Sequence, residues 1–229
     1  MSDVGLPEST AIFLLLALIA VPIAAFVGAF LIGSIPFGYL IGRFFYRTDI
    51  RNQGSGNIGA MNALRTLGRA GALAVLLLDA LKGFAPTLWA LFFFRDRLDM
   101  EGWPPTAQII AAIVATGAVL GHCFSPWLRF KGGKGVATSF GAIFAMSWPA
   151  GLVAAGGWIV GAAFTRYSSV GSMLGSVLAP FAIWFFTGSL PETLYGVFSA
   201  LLILLAHREN IRRLRAGTEG PIRLSRPRA

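Results

Sequence analysis

Charge is scarce in this chain. Asp, Glu, Lys and Arg make up 13% of its 229 residues, about half the share found in globular domains. A soluble domain of this size needs far more polar surface, so the scarcity excludes an ordinary soluble protein, a disordered chain and a free nucleic-acid binder. Acidic residues are scarcer still, ten against nineteen basic ones. A single cysteine, Cys123, excludes an internal disulfide, and no Cys/His spacing of a metal-binding type occurs. No internal repeat is evident, which weakens the case for an inverted-repeat transporter. The first apolar run lacks a preceding basic stretch, which disfavours a cleaved signal peptide.

Hydrophobic types reach 55%, and the mean hydropathy is +0.70. An integral membrane protein remains. A transmembrane helix needs about 20 apolar residues. Residues 11–46 are apolar almost throughout and too long for one straight span. They read either as a tilted or kinked helix or as a short lead segment before a span near 23–46. Further spans are expected near 70–94, 105–124, 136–148, 150–165, 169–188 and 191–206. Ser147-Trp148-Pro149 marks a turn, and the alternative is one kinked segment over 136–165. The expected architecture is therefore all-α and polytopic, a bundle of about seven transmembrane helices. It follows an N-terminal extension (1–22), occupies 23–206 and ends in a basic segment (207–229).

With seven spans, one face collects sixteen basic residues against three acidic ones, and the other holds two against six. The positive-inside rule then puts the basic loops and the C-terminus in the cytoplasm, with the N-terminus outside. Pairs spaced GxxxG (Gly38/Gly42, Gly117/Gly121, Gly157/Gly161 and Gly171/Gly175) predict close helix packing.

Three polar segments on the basic face carry the chemistry. Gly54-Ser55-Gly56-Asn57-Ile58-Gly59, followed by Asn62 and Arg65, matches GxGxxG literally. A dinucleotide site is excluded because Arg51-Asn52-Gln53 precedes it where a buried strand is required. What remains is a loop of N–H groups, a hydroxyl, amides and a guanidinium, all suited to phosphate or an oxyanion. The second segment runs from Gly121-His122 to Lys131-Gly132-Gly133-Lys134-Gly135-Val136-Ala137-Thr138. Two lysines among glycines precede an apolar helix, which favours anion binding. It is not a Walker A loop, because Gly135 follows Lys134 where Ser or Thr is needed. The third segment is His207-Arg208-Glu209-Asn210, where His207 and Asn210 share a helix face. His207 reads equally as a base, a positioning group or a structural cap. Arg213, Arg215 and the arginines beyond 220 read as binders of lipid headgroups. Asp79 and Lys82, three apart inside a span, are either functional or a structural ion pair.

Taken with Gly33-Ser34-Ile35-Pro36-Phe37-Gly38 and Asp79-x-x-Lys82-Gly83, these segments resemble the bacterial acyl-phosphate-dependent glycerol-3-phosphate acyltransferases, the PlsY family. The likeness runs in order from about residue 23 to 220. Departures are the N-terminal extension, Met61 in place of a frequent Thr, and the arginine-rich tail after Glu219. The resemblance implies a seven-helix enzyme of the bacterial plasma (inner) membrane with its active site on the cytoplasmic side. It would transfer an acyl chain from acyl phosphate to the 1-hydroxyl of glycerol 3-phosphate, the first acylation of phospholipid synthesis. No cofactor, metal or nucleic acid is expected, only membrane lipids around a monomer. The HxxxxD motif of the other acyltransferase type is absent: Trp127 and Arg212 stand five positions after His122 and His207.

The likeness implies that Lys131, Lys134 and Gly132, Gly133 and Gly135 cradle the phosphate of glycerol 3-phosphate. Lys82 and His122 join the substrate-binding set. Ser55, Asn57 and Arg65 would bind the donor phosphate and steady the oxyanion. His207 and Asn210 would orient the attacking hydroxyl, whose proton passes to His207 or to the donor phosphate. Glu219 would hold the tail. The rival reading is a transporter for an anionic phosphate ester, which needs polar residues lining a path across the bilayer.

Overall fold

Apolar stretches broken by proline, glycine and serine, with a short basic segment at the end, form ten α-helices among the described residues. The structure is a computed structural model that describes residues 8–98 and 106–222, and among these residues there is no strand. Helices α1 (Glu8–Gly33) and α2 (Phe37–Phe45) flank the Ser34-Ile35-Pro36 break. The small α3 (Ala60–Thr66) leads into α4 (Gly68–Leu98). Then come α5 (Thr106–Cys123), α6 (Val136–Met146), α7 (Trp148–Thr165), α8 (Ser168–Thr187), α9 (Leu190–Ala206) and α10 (Arg208–Arg215).

The outward faces are apolar. Phe164, Phe185, Phe181 and Leu205 lie exposed, while serines and an Asp–Lys pair are buried inside. This inversion suits a bilayer as solvent. Five helical segments are long and apolar enough to cross a membrane. The α9–α10 pair, bent by 54° at its break, adds a sixth if it is counted as one span. The expected apolar segments are thus all helical, but α6 has only 11 residues. At 1.5 Å per residue it reaches about half of a 30 Å hydrocarbon core. Ser147 separates α6 from α7, accepting the Ala150 N–H at 3.4 Å, so one kinked 136–165 segment is not what forms. Helix α1 runs unbroken through Pro22 and stops at Gly33.

The break at Ser34-Ile35-Pro36 is built, not frayed. Pro36 has no N–H to continue the ladder. The freed carbonyls find side-chain donors: Ser125 Oγ donates to Ser34 O at 2.7 Å, and Lys82 Nζ donates to Ile35 O at 2.8 Å. Trp127 Nε1 donates to Ser34 Oγ at 2.8 Å.

Small residues set the helix spacing. Gly157 and Gly161 of α7 face Gly175 and Gly171 of α8 backbone to backbone. Gly117 and Gly121 of α5 lie under Phe26 and Phe30 of α1. Gly38 and Gly42 of α2 instead admit the 48–58 loop, meeting Ile58 and Ile50. A Cβ at Gly121 would collide with the Phe30 carbonyl oxygen and would lie 2.8 Å from the Ser34 nitrogen, both backbone atoms of the α1 end. Gly121→Ala is therefore expected to destabilise the protein by about 1–3 kcal/mol. Thermal unfolding in detergent would show this as a lowered midpoint, and an unchanged midpoint would refute the close contact.

Candidate active site

The three polar loop segments converge on one cavity of about 650 Å³. It gathers Ser55, Asn57, Arg65, His122, Lys134, Gly135, His207, Asn210 and Glu219 from all three motif segments.

The first wall is the 54–59 loop, tied down by the buried Asn62. The Asn62 amide donates to Ile50 O at 2.7 Å and Gln53 O at 3.1 Å, and its oxygen accepts the Ser55 N–H at 2.8 Å. Gly54 adopts a left-handed φ of 58°, and a Cβ there would strike the same Asn62 oxygen. Asn57 Oδ1 accepts the Gly59 N–H at 2.9 Å, just ahead of α3. The backbone is thus held by amides; the Ser55 hydroxyl and the Arg65 guanidinium line the cavity, with Arg65 Nη2 donating to Gly220 O at 3.3 Å.

The second wall begins at Gly135, whose left-handed φ of 80° turns the chain into α6. Lys134 Nζ hydrogen-bonds Asn210 Oδ1. Burial, with help from the nearby Arg213 and Arg65 charges, pushes the Lys134 ammonium down to about 8 even though Glu219 opposes the shift. His122 is buried, 3.6 Å from Asp79 Oδ1, with Gly133 packed against its imidazole.

The third wall is the α9–α10 bend. His207 N–H is shared between Ile203 O and Leu204 O, and its Nδ1 sits 2.7 Å from Ile203 O. A carbonyl only accepts, so the proton belongs on Nδ1 and Nε2 keeps its lone pair. The tail then folds back, and Ile222 N–H donates to Arg166 O at 2.8 Å. Glu219 accepts from Asn210 Nδ2 at 2.6 Å, Ser169 Oγ at 2.8 Å and Arg213 Nε at 2.7 Å. Burial pushes this carboxyl up, but those hydrogen bonds outweigh it and hold the group below its ordinary value. A relay therefore runs from Lys134 through Asn210 to an ionised Glu219.

Four expected site residues fall outside the cavity. Lys82 is buried and spent on Asp79 at 2.8 Å and on Ile35 O, where it supports the helix break. Gly132 and Gly133 donate their N–H groups to Cys123 O and His122 O, each at 3.0 Å, so these groups face protein and not an anion. Lys131 is exposed and lines a separate hollow.

Other cavity residues were not among the expected site. Arg213, expected at lipid headgroups, instead bonds Glu219 and lines the cavity. Ser168, Ser169 and Ser172 open α8 beside it. Their spacing of one and four within an apolar helix is a signal that could have marked them. Leu76, Val136 and Trp158 add an apolar side.

The chain is similar to known proteins along most of its length. A model of the glycerol-3-phosphate acyltransferase family matches residues 23–217. A glycerol-3-phosphate acyltransferase of Synechococcus sp. (strain JA-3-3Ab) is 44% identical over 195 residues, covering 85% of this chain and 90% of that one. The crystal structure of PlsY, an integral membrane glycerol 3-phosphate acyltransferase, in its glycerol 3-phosphate form matches with a TM-score of 0.79 at 34% identity. That match covers 87% of this chain and 94% of that one. Its lysophosphatidic acid form matches with a TM-score of 0.77 at 32% identity, covering 89% and 96%.

The apolar helices and the matches to these relatives together make the chain an integral membrane acyltransferase. More specifically, the chain belongs to the glycerol-3-phosphate acyltransferase family.

Proposed function

We propose that the cavity transfers an acyl group from acyl phosphate to the 1-hydroxyl of glycerol 3-phosphate, giving lysophosphatidic acid and inorganic phosphate. The single observation carrying this reading is that Lys134, Arg65 and Arg213 share one cavity with His207 and with an apolar side. Two phosphates and one acyl chain need that combination. The substrate hydroxyl oxygen attacks the acyl carbonyl carbon, the bond from that carbon to the phosphate oxygen breaks, and phosphate leaves. No covalent enzyme intermediate is required, because phosphate is already a good leaving group.

Lys134 holds the phosphate of glycerol 3-phosphate, with Ser168 beside it as a neutral donor, since the Ser169 hydroxyl is given to Glu219 and the Ser172 hydroxyl to Ser168 O. Ser55, Asn57 and Arg65 take the donor phosphate and the developing oxyanion, where fixed donors act most strongly. Nε2 of His207 accepts the hydroxyl proton, and Asn210 keeps Lys134 and Glu219 in register. Leu76, Val136 and Trp158 receive the start of the acyl chain. The basic face carrying this cavity is cytoplasmic, the N-terminus lies outside, and the enzyme is a monomer of the bacterial inner membrane. A transport reading finds little support, since the buried Asp79–Lys82 pair is closed on itself and on Ile35 O.

The test is purified protein given palmitoyl phosphate and glycerol 3-phosphate in the presence of a chelator. Lysophosphatidic acid and inorganic phosphate should form in equal amounts, and their absence would refute the reading.

A further inference from the structure

The glycine-lysine segment divides its two lysines between different places. Lys134 enters the acyl-transfer cavity, whereas Lys131 lines a second hollow of about 460 Å³ together with Arg51, Gly56, Trp127, Leu128 and Arg129. The Gly54–Gly59 loop separates the two, since Gly54 and Ser55 line the first and Gly56 the second. We infer that this second hollow binds the phosphate headgroup of an anionic lipid from the surrounding bilayer, with the lipid chains lying against Trp127 and Phe130.

Charge is the first support. Arg51 is shared with Asp49 at 2.6 Å, but Arg129 and Lys131 have no acidic partner among the described residues. The hollow therefore keeps about two uncompensated positive charges, each adding to attraction for an anionic headgroup. Depth is the second. Candidate spans end at Phe45 and Leu128, so Arg51, Arg129 and Lys131 stand within six residues of two span ends on the same face. That is the headgroup level of a bilayer. The third is the company these cations keep: Trp127 is 65% and Phe130 64% exposed. A site for a water-soluble anion gains nothing from exposed rings, whereas rings beside cations at a span end suit the lipid interface.

The turn is also held in place. Arg129 and Phe130 are consecutive left-handed residues, with φ of 54° and 60°. Non-glycine residues adopt that region at a cost and persist there when their surroundings over-determine it. Here Ser125 O accepts the N–H groups of both Leu128 and Phe130, at 3.1 and 2.8 Å. Arg129 N–H donates to Pro126 O at 3.2 Å, and Trp127 is pinned to Ser34 Oγ at 2.8 Å. Cation and rings therefore project from a fixed turn.

The full chain, reconstituted in discs of phosphatidylcholine doped with phosphatidylglycerol, tests this by mass-spectrometric counting of lipids retained on the protein. The wild type should retain phosphatidylglycerol selectively. The double substitution Arg129→Gln/Lys131→Gln, at exposed positions, should weaken that retention by roughly 25-fold, about fivefold per cation removed. Retained phosphatidylcholine should stay unchanged. Equal phosphatidylglycerol retention by both proteins would overturn the inference. So would inorganic phosphate displacing the lipid as effectively as free phosphatidylglycerol does, since the hollow would then be a site for a soluble anion. The readout is lipid and not product, so it stands or falls separately from acyl transfer.

Discussion

Lys134→Ala lowers kcat/KM for glycerol 3-phosphate by about 10²–10³-fold, the cost of removing one fixed donor from a charge-stabilising site. The loss should fall mainly on KM for glycerol 3-phosphate and spare KM for the acyl donor, because the Lys134 ammonium is bonded to Asn210 on the α10 side of the cavity. Asn210 in turn leans on Glu219 at 2.6 Å, so the ammonium cannot swing away without breaking the relay. The same residue sets a pH limb. Burial and the Arg213 and Arg65 charges hold free Lys134 at about 8. kcat/KM reports the free enzyme. Phosphate binding needs the charged form, so kcat/KM is at its plateau below about 8 and falls roughly tenfold per pH unit above it. Lys134→Arg is the control. A guanidinium stays protonated throughout, so this variant should lose the alkaline limb even where its plateau is lower. Steady-state kinetics from pH 6 to 10 decide the matter. A wild-type profile that stays flat to pH 9, or an unchanged KM in Lys134→Ala, would remove Lys134 from the phosphate site.

Much of this site is legible in the residue order. Gly-Ser-Gly-Asn, the Lys134-Gly135 end of the glycine-lysine segment and His-x-x-Asn each contribute a wall of the cavity, and their residue types suit an anion. What cannot be read is direction. Lys131 and Lys134 look equivalent on paper. Two left-handed residues, Arg129 and Phe130, and a left-handed Gly135 between the glycine run and α6 send them to different hollows. Gly132 and Gly133 look like anion ligands. Yet their N–H groups pair with the end of α5, and Gly133 gives room to the His122 ring. Lys82 looks like a functional intramembrane charge, but the proline break needs a donor for Ile35 O and Lys82 meets that need. Arg213 reads as one tail arginine among seven, because nothing local reveals that the tail doubles back to bring Glu219 beneath it. For the fold, hydropathy locates the apolar helices from α4 onward, whereas α1 begins at Glu8, within the stretch read as an N-terminal extension. The 136–148 stretch, closed by the Ser147-Trp148-Pro149 turn, already reads as short of a full span, and α6 has 11 residues. For the misplaced side chains the missing information is tertiary: which side of a turn a side chain leaves from, and which carbonyl lacks a partner.

His207→Gln lowers kcat by about 10²–10³-fold and leaves both KM values nearly unchanged, as expected when a positioned base is lost but binding is not. The geometry argues for the base. His207 is buried at the C-terminal end of α9, and its Nδ1 is committed to Ile203 O at 2.7 Å. That bond fixes the ring and leaves the Nε2 lone pair for the cavity. Glutamine can reproduce a hydrogen bond to a hydroxyl but cannot take its proton, so the substitution separates orientation from proton transfer. The competing route passes the proton to a phosphate oxygen of the departing donor, which needs no histidine at all. Under that route His207→Gln keeps near-normal turnover, whereas His207→Ala, which removes the positioning bond as well, loses activity. Under the base mechanism both substitutions fall together. Single-turnover measurement with saturating acyl donor separates the two, because it isolates the chemical step from product release. Near-wild-type single-turnover rates in His207→Gln would assign the proton to the donor phosphate and leave His207 as a positioning residue.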